Sequence, residues 1–576
     1  MNRHRSSVFL VSSLMLDRKG SDMCRLKLVM AAAIAAVVVQ LLCVRSADAA
    51  TLAATDDAAP KPPVKRVSLD DAAPRTALVV QDNVAMRAAA KDSSPAQAQL
   101  WRGEALEIRG ERPDHFQVYD YRRERGGFVR KTALLTLNGP AAQPDALLAA
   151  LRVVRQQPGS ESLGLGLAAA YVQSASATQM NGADGAEALD AMGTLAERLA
   201  DRASRAQSRP DGAPVAPSAA ETQVAAQLDV AARYGLRFRT LEREAGAMQL
   251  CYEGDAFRRV LAMPASTPEQ KARAALALTR VDCLDPVATP PQREQMDQWR
   301  ADVLDKVDLR DPALATHWRN RVLMRQSGVW SSLAFIRARR ATVAVAANAS
   351  GPAASSTTLQ VDASSSASRR SLEAFARVVP AELSDDDQSA YNDAAMRGNA
   401  MRWAALPAGA PEQILGAVKL NVAAGQPGET CLTLTMNGAR EGNPPLLRHC
   451  AWGLVMTASA RINREGTAIS IASVPADGWR ELWLLRRTSQ GWKVSVLPPV
   501  AAQPGLGYAE FAGWVPGGKE LLVARESRAE GRYKRSYELV DLDTLETKRQ
   551  AGDVTMLGAF QRWQAADWKG TSLSAR

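Results

Sequence analysis

The 576-residue sequence predicts a multidomain α+β protein, with a small β-barrel near the N-terminus, an α-helical middle region and a β-rich C-terminal domain. Three observations support this fold class. Apolar residues alternate with polar ones between 75 and 137, recur every three or four positions between 141 and 405, and alternate again from 414 to 570. A chain of this length is able to form several domains, each with its own core.

The first residues have the order of an export signal. Arg25 and Lys27 precede the apolar run LVMAAAIAAVVVQLLCV, and the following SADAA provides small residues at the spacing that a signal peptidase cleaves. We therefore expect residues 1–49 to be a signal peptide, with Met23 as an alternative translation start. An uncleaved anchor is the competing interpretation, because the apolar run is long. The sequence thus predicts a periplasmic or secreted protein without a stable transmembrane span after cleavage.

Three segments have a composition typical of chain that does not form a core. Residues 50–74 contain several prolines and few large apolar side chains, which predicts a disordered leader. The segment 205–222 is rich in Ala, Ser and Pro and is predicted to be a linker, and 341–370 is predicted to be a low-complexity loop.

The first ordered segment, 75–137, contains short alternating stretches such as TALVV, VAMR and FQVYDY, separated by Ser/Pro, Gly and Arg-rich turns. It resembles a bacterial SH3 domain in its V-x-L/V-R strand, its Gly before the second strand and its G-W-V strand. Phe stands at two positions where the family usually has Trp. The positions that carry the resemblance are Val84, Met86, Arg87, Gly103, Phe116, Val118, Gly127, Phe128 and Val129. The resemblance implies an SH3-like β-barrel that binds peptidoglycan or a protein segment.

The aromatic residues of this segment suggest a binding surface. Tyr119 and Tyr121 are two positions apart and share one face of their strand, next to an Arg-rich turn. Aromatic faces with cations nearby suit a sugar–peptide polymer or an acidic partner segment. An ordinary exposed hairpin is the alternative interpretation. The predicted binding residues are Phe116, Tyr119, Tyr121, Arg123 and Phe128.

The middle of the chain has helical periodicity, with a helical segment predicted over 141–204 and a helical domain over 223–405. Helix-start signals support this assignment, because Thr267 precedes Gln270 by three residues and Ser384 precedes Asp387 by three. The stretch 240–285, with CYEGDAFRRVL followed by STPEQKARAALALT, resembles one helix-turn-helix unit of a tetratricopeptide-type solenoid.

From about residue 414 the strands CLTLTM, TAISIASV, RELWLLRR and KELLVARES follow one another between Gly, Pro and Asp turns. The stretch GWVPGGKELLVARESRAEGRYKRSYELVDLDTL resembles one blade of a TolB-type β-propeller, and similar blade-like strands extend over about 415–560. These strands would form about three blades, too few for a closed ring. A partial propeller or a sandwich is therefore predicted for 414–570.

Four cysteines follow the predicted signal peptide, and an even number in an exported chain indicates disulfides. A four-thiolate metal site is disfavoured because the sequence has no CxxC pair among them. Cys251 and Cys283 are 32 residues apart, close to the length of one tetratricopeptide-type unit, in which equivalent helices lie side by side. Cys431 and Cys450 flank a Gly/Pro-rich turn between two strands, so they are predicted to pair across a hairpin.

Two stretches match the residue spacing of nucleotide-binding motifs but lack the secondary structure or the residue that those motifs require. GLGLAA follows a turn instead of a strand, and GWVPGGK continues with Glu520 where Ser or Thr would be needed, between two predicted strands. We therefore predict no cofactor and no metal. The chain has neither an HExxH nor a G-x-S-x-G motif, so no catalytic residue is assigned.

The net charge of +10 is spread along the chain without a dense Lys/Arg run, which argues against nucleic-acid binding. The leading hypothesis is an exported, non-enzymatic cell-envelope protein. It would bind peptidoglycan or an envelope protein through the SH3-like module, with the helical and β-rich domains as scaffold and interaction surface. The alternative hypothesis is an envelope hydrolase whose active site, built from carboxylates, lies in an unrecognised fold.

Overall fold

The computed structural model describes residues 75–207, 218–243, 246–347, 354–406, 411–440, 442–501, 505–529 and 531–571. The predicted signal peptide 1–49 and leader 50–74 lie outside these residues. The described chain is a mixed α+β structure with an N-terminal sheet, a helical middle and two C-terminal sheets, as the sequence predicts. Among the described helices, none combines the length and the apolar character that crossing a bilayer requires.

Seven antiparallel strands form the N-terminal sheet in the order β3-β2-β6-β5-β4-β1-β7. The strands are β1 (Arg75–Val79), β2 (Val84–Arg87), β3 (Ala96–Leu100), β4 (Ala105–Glu111), β5 (His115–Asp120), β6 (Arg125–Arg130) and β7 (Leu134–Leu137). One face buries a core that includes Met86, Val118 and Val129. The predicted barrel is not closed, because β3 and β7 remain the two edges. The short strand β2 pairs with β6 at a single position, Arg87 with Phe128. The β2–β3 hairpin is therefore joined to the rest of the sheet by one residue pair.

Five helices follow; four of them begin within the predicted helical segment 141–204, and the fifth begins in the predicted linker 205–222. They are α1 (Pro144–Val154), α2 (Glu161–Ser174), α3 (Ala177–Asn181), α4 (Ala183–Gln207) and α5 (Ala219–Arg233). The GLGLAA stretch lies inside α2, where a Cβ on Gly164 would lie 2.6 Å from a methyl carbon of Leu195, so the glycine allows α2 and α4 to pack closely. The predicted linker 205–222 is shorter than expected, since α4 and α5 extend into it from both sides, and 208–217 lies outside the described residues.

The N-terminal sheet is docked against these helices. The left-handed Gly103 (φ +87°) approaches α2 so closely that a Cβ would lie 2.3 Å from the backbone oxygen of Ser162. The Tyr234 hydroxyl donates a hydrogen bond of 2.6 Å to the Gly103 carbonyl. Asp82 accepts a hydrogen bond of 2.8 Å from the Gln223 side chain on α5. The turns around the sheet are therefore held by side chains that lie more than a hundred residues away in sequence.

We expect the substitution Tyr234→Phe to lower the free energy of unfolding by about 1 kcal/mol, because it removes a part-buried hydrogen bond between the residue that follows α5 and the turn before β4. Burial raises the pKa of Tyr234 to about 12. The stabilisation should therefore hold at neutral pH and shrink above pH ~10, where the unfolded tyrosine ionises but the folded one remains neutral. Urea unfolding followed by tryptophan fluorescence measures the difference. Tyr121→Phe, at a side chain that is 68% exposed, is the control, and equal shifts in the two variants would contradict the prediction.

The next part begins with a strand hairpin, β8 (Phe238–Glu242) and β9 (Met248–Tyr252), followed by α6 (Asp255–Ala262) and α7 (Pro268–Leu278). The predicted disulfide Cys251–Cys283 is confirmed. Its geometry differs from the expectation, because Cys251 lies on β9 instead of a helix, and Cys283 lies in the 3₁₀ turn Val281–Cys283. The α6–α7 hairpin returns the chain to β9 and so brings the sulfurs together. The predicted cap of α7 is also confirmed, since Thr267 and Gln270 form a capping box.

Four long helices complete the middle region: α8 (Pro290–Leu304), α9 (Thr316–Ala347), α10 (Ala354–Ala376) and α11 (Asp385–Met401). The predicted loop 341–370 is wrong for most of its length, because α9 and α10 cover all of it except 348–353, which lies outside the described residues. Small side chains let α10 pack closely, and its buried serines donate hydrogen bonds to carbonyls of neighbouring segments. The bonds are 2.8 Å each, from Ser364 to Ala334, from Ser368 to Met401 and from Ser371 to Ser327.

The C-terminal part contains a four-stranded sheet of β10 (Glu412–Leu415), β11 (Val418–Ala424), β12 (Glu429–Met436) and β13 (Leu447–Trp452). Cys431 and Cys450 stand opposite each other on β12 and β13 and form the second predicted disulfide, which is confirmed. This sheet shares a core with part of an eight-stranded sheet, through Leu420 and Leu432 on one side and Ile471 and Trp483 on the other.

The eight-stranded sheet consists of β14 (Leu454–Ile462), β15 (Ala468–Ala476), β16 (Trp479–Thr488), β17 (Gly491–Leu497), β18 (Leu506–Trp514), β19 (Glu520–Ala529), β20 (Arg532–Asp541) and β21 (Thr547–Ala551). Two short helices follow, α12 (Gly558–Trp563) and α13 (Ala566–Thr571). GWVPGGK forms the β18–β19 hairpin turn, as predicted. No propeller ring closes among the described strands. The eight strands form one open sheet with β14 and β21 at its edges, and its two halves are joined by two parallel residue pairs between β16 and β18.

Candidate binding surface

Tyr119 and Tyr121 lie together on the outer face of the N-terminal sheet. Their ring centroids are 5.1 Å apart and the rings meet edge to face. The neighbouring strand β4 contributes Arg109, whose guanidinium carbon lies 3.7 Å from the centroid of Tyr119 and 5.9 Å from that of Tyr121. It also contributes Glu107, which pairs with Tyr119 across the sheet. These four residues are called the tyrosine surface below.

Hydrogen bonds hold the tyrosine surface in place. One carboxylate oxygen of Glu107 accepts a bond of 2.8 Å from the Tyr121 hydroxyl and one of 2.9 Å from Arg109 Nε. The bonds from Tyr121 and then Arg109 hold the pKa of Glu107 below its usual range, so it is ionised at neutral pH. The surface therefore offers two ordered aromatic rings, a stacked guanidinium and a carboxylate, which suits a ligand with both apolar faces and polar groups.

Strand alternation decides which predicted residues join this surface. Phe116 points to the opposite face and is 7% exposed in the core of the sheet. Phe128 on β6 pairs with Gln117, which stands two positions before Tyr119, so Phe128 shares the outer face with the tyrosines and is half-buried there. The structure thus brings Phe128 towards the predicted surface and assigns Phe116 to the core.

Arg123 has a different environment from the one expected. Its guanidinium donates a bond of 2.8 Å to Glu104 and another to Asp120, and it also bonds the backbone oxygen of Gln99. Arg233 of α5 lies 3.1 Å from the same buried Glu104. Arg123 therefore connects the β5–β6 turn to Glu104, which Arg233 also contacts, and the cation beside the tyrosines is Arg109. EALEIR contains Glu107 and Arg109 in alternation, but only the β4–β5 register reveals that they face the tyrosines.

Several buried carboxylates of the described chain are each held between two arginines. The clearest pairs are Glu161 with Arg198 and Arg202, Asp190 with Arg155 and Arg273, Asp297 with Arg293 and Arg300, and Glu510 with Arg402 and Arg480. Two guanidinium partners fix the orientation of each of these carboxylates, which favours a structural role.

Among the described residues, one group of three side chains has donor atoms close enough for a metal. Glu429, Cys431 and Cys450 place their donor atoms within 4.8 Å of one another. Both sulfurs belong to a disulfide, however, and only a thiolate is a good metal ligand. The oxidised pair therefore leaves a single carboxylate, which does not make a metal site.

The chain was compared with protein-family models, curated proteins and solved structures, and none of them matches it.

Proposed function

We propose that this is an exported, non-enzymatic cell-envelope protein that binds peptidoglycan or an envelope protein through its SH3-like N-terminal module. The observation that carries the proposal is the tyrosine surface. Tyr121 is 68% exposed, yet its hydroxyl is fixed by Glu107, so the ring is presented to solvent in one orientation. An aromatic residue that is both exposed and preorganised loses little conformational entropy when it binds a partner.

Two further features support the proposal. The two disulfides suit an oxidising compartment outside the cytoplasm, which agrees with the signal-like N-terminal sequence. The segment 75–137 resembles bacterial SH3 domains, whose members bind cell-wall material or protein segments. Peptidoglycan offers sugar rings for the tyrosines and carboxylates of its peptides for Arg109.

We expect the double variant Tyr119→Ala and Tyr121→Ala in the full mature chain to bind purified cell-wall sacculi roughly 10- to 30-fold more weakly. Each stacked ring contributes about 1 kcal/mol, and about 1.4 kcal/mol corresponds to a factor of ten. Sedimentation with sacculi at a series of concentrations measures the affinity. Trp452→Ala is the matched control, because that side chain is an exposed aromatic (58%) on β13, in a different sheet. Circular dichroism establishes that both variants are folded.

The outcomes separate the two classes of partner. Binding of the wild type to sacculi, lost in the tyrosine variant and kept in the Trp452 variant, supports a wall ligand. If the wild type does not bind sacculi but retains a protein from an envelope extract, and the tyrosine variant does not retain that protein, the partner is a protein. If the wild type binds neither, or the tyrosine variant binds as the wild type does, the proposal is wrong.

A further inference from the structure

A cleft of about 330 Å³ lies within the helical middle region, between α8, α9, α11 and the end of α7. Its lining is unusually rich in guanidinium groups. Five arginines line it, Arg293, Arg300, Arg321, Arg325 and Arg397, whereas Asp387 and Asp393 are its only lining carboxylates. This region is called the arginine cleft.

Four of these arginines have carboxylate partners. Arg293 and Arg300 share the buried Asp297, at 2.8 and 2.7 Å. Arg321 lies 2.7 Å from Asp387. The fourth, Arg397, lies 3.7 Å from Asp477 in the β15–β16 turn. The lining carboxylate Asp393 forms its ion pair with Arg528 of β19, at 2.8 Å. The carboxylates around the cleft are thus already engaged.

Arg325 is the exception. Its guanidinium donates to the backbone oxygens of Thr279 and, at 3.4 Å, Leu276, and it forms no ion pair with a carboxylate in the described parts of the chain. Burial, and next the nearby positive charge of Arg300, lower the pKa of Arg325 to about 10, against the smaller opposing effects of the Asp282 and Glu197 carboxylates. Because burial outweighs these distant carboxylates, a further anion in the cleft would stabilise the charged guanidinium.

The shape and walls of the cleft indicate the kind of anion. Guanidinium groups reach it from three helices, and such planar donor forks match the oxygens of a phosphate group well. Apolar side chains, including Met324 and Val329 of α9 and Ala394 of α11, form the remaining wall. We propose that the arginine cleft binds a small phosphate monoester, with its phosphate on Arg325 and its organic part against the apolar wall. This is independent of the tyrosine surface, which lies on the N-terminal sheet.

The test measures the thermal unfolding temperature and the binding heat of the full mature chain with glycerol 3-phosphate, with inorganic phosphate, and with sodium chloride at matched ionic strength. We expect both phosphates to raise the unfolding temperature in a concentration-dependent way, because a ligand that binds only the folded state stabilises it. Glycerol 3-phosphate should bind more tightly than inorganic phosphate. Arg325→Gln should weaken binding about tenfold or more, since it removes the principal charged contact. Arg340→Gln, at an exposed position on α9 paired with Glu294, should bind as the wild type does.

Two outcomes would overturn the proposal: a phosphate effect no larger than that of chloride, or an unchanged affinity in Arg325→Gln. If that variant does not fold, Arg397→Gln replaces it, with the same expected loss and the same contradicting result. Vesicles of phosphatidylcholine with and without phosphatidic acid identify the source of the phosphate. Arg325-dependent binding to the acidic vesicles indicates a lipid headgroup, and binding to the soluble probes alone indicates a free metabolite.

Discussion

Replacing Glu510 by Gln is expected to lower the free energy of unfolding by about 3–5 kcal/mol, the cost typical of breaking a buried ion pair from one side. Glu510 on β18 is 3% exposed and lies between two buried guanidinium groups. One oxygen pairs with Arg402, just after α11, and the other lies 3.1 Å from Arg480 Nη2 on β16. Arg480 also donates a 2.7 Å bond to the backbone of Asn399. The cluster therefore joins the helices to the eight-stranded sheet, and a neutral amide would remove the negative charge that lies between two buried cations.

Equilibrium unfolding in guanidinium chloride, followed by tryptophan fluorescence and circular dichroism, measures this effect. Glu520→Gln is the matched control, because it also removes a carboxylate from the eight-stranded sheet. Its partner Lys548 is 45% exposed, and surface pairs of this kind contribute about 0–1 kcal/mol. Equal stability of the Glu510 variant and the wild type would show that the buried cluster does not hold the two parts together.

The second large effect is expected for Cys251→Ser combined with Cys283→Ser. The bond closes a loop with a sequence separation of 32, for which the chain-entropy model gives about 3–4 kcal/mol of stabilisation. It also fixes the end of β9 to the turn after α7. Cys251 itself is 4% exposed, so the substitution would also bury a polar serine hydroxyl where the native protein buries a disulfide sulfur.

Urea unfolding of the wild type and the double serine variant, each with and without reductant, separates this bond from Cys431–Cys450. The variant should unfold at lower urea without reductant. The second disulfide, with a separation of 19, should account for a further shift of about 3 kcal/mol when reductant is added to the variant. An unchanged midpoint in the serine variant, or free thiols in the unreduced denatured wild type, would contradict the prediction.

Local pattern was sufficient for much of the architecture. Alternation and helical periodicity report which side of a segment is buried, and they predicted the order of sheet, helices and sheets along the chain. Capping is equally local, which explains the correct helix start at Thr267. The Cys431–Cys450 bond was predictable because a hairpin imposes its own register.

Tertiary structure alone decided the remaining features, because each depends on segments that are remote in sequence. The small residues of 361–376 are compatible with a loop or with a closely packed helix, and contacts with neighbouring segments, among them the carbonyls that accept bonds from the buried serines, favour the helix. Arg123 was predicted to lie beside the tyrosines, but the buried Glu104 attracts it, while Arg109 occupies the position over Tyr119. The arginine cleft likewise has no motif, since its guanidinium groups come from separate helices. The sequence by itself determined the secondary structure and its buried faces, whereas charge partners and the closure of sheets were decided by contacts that no local pattern encodes.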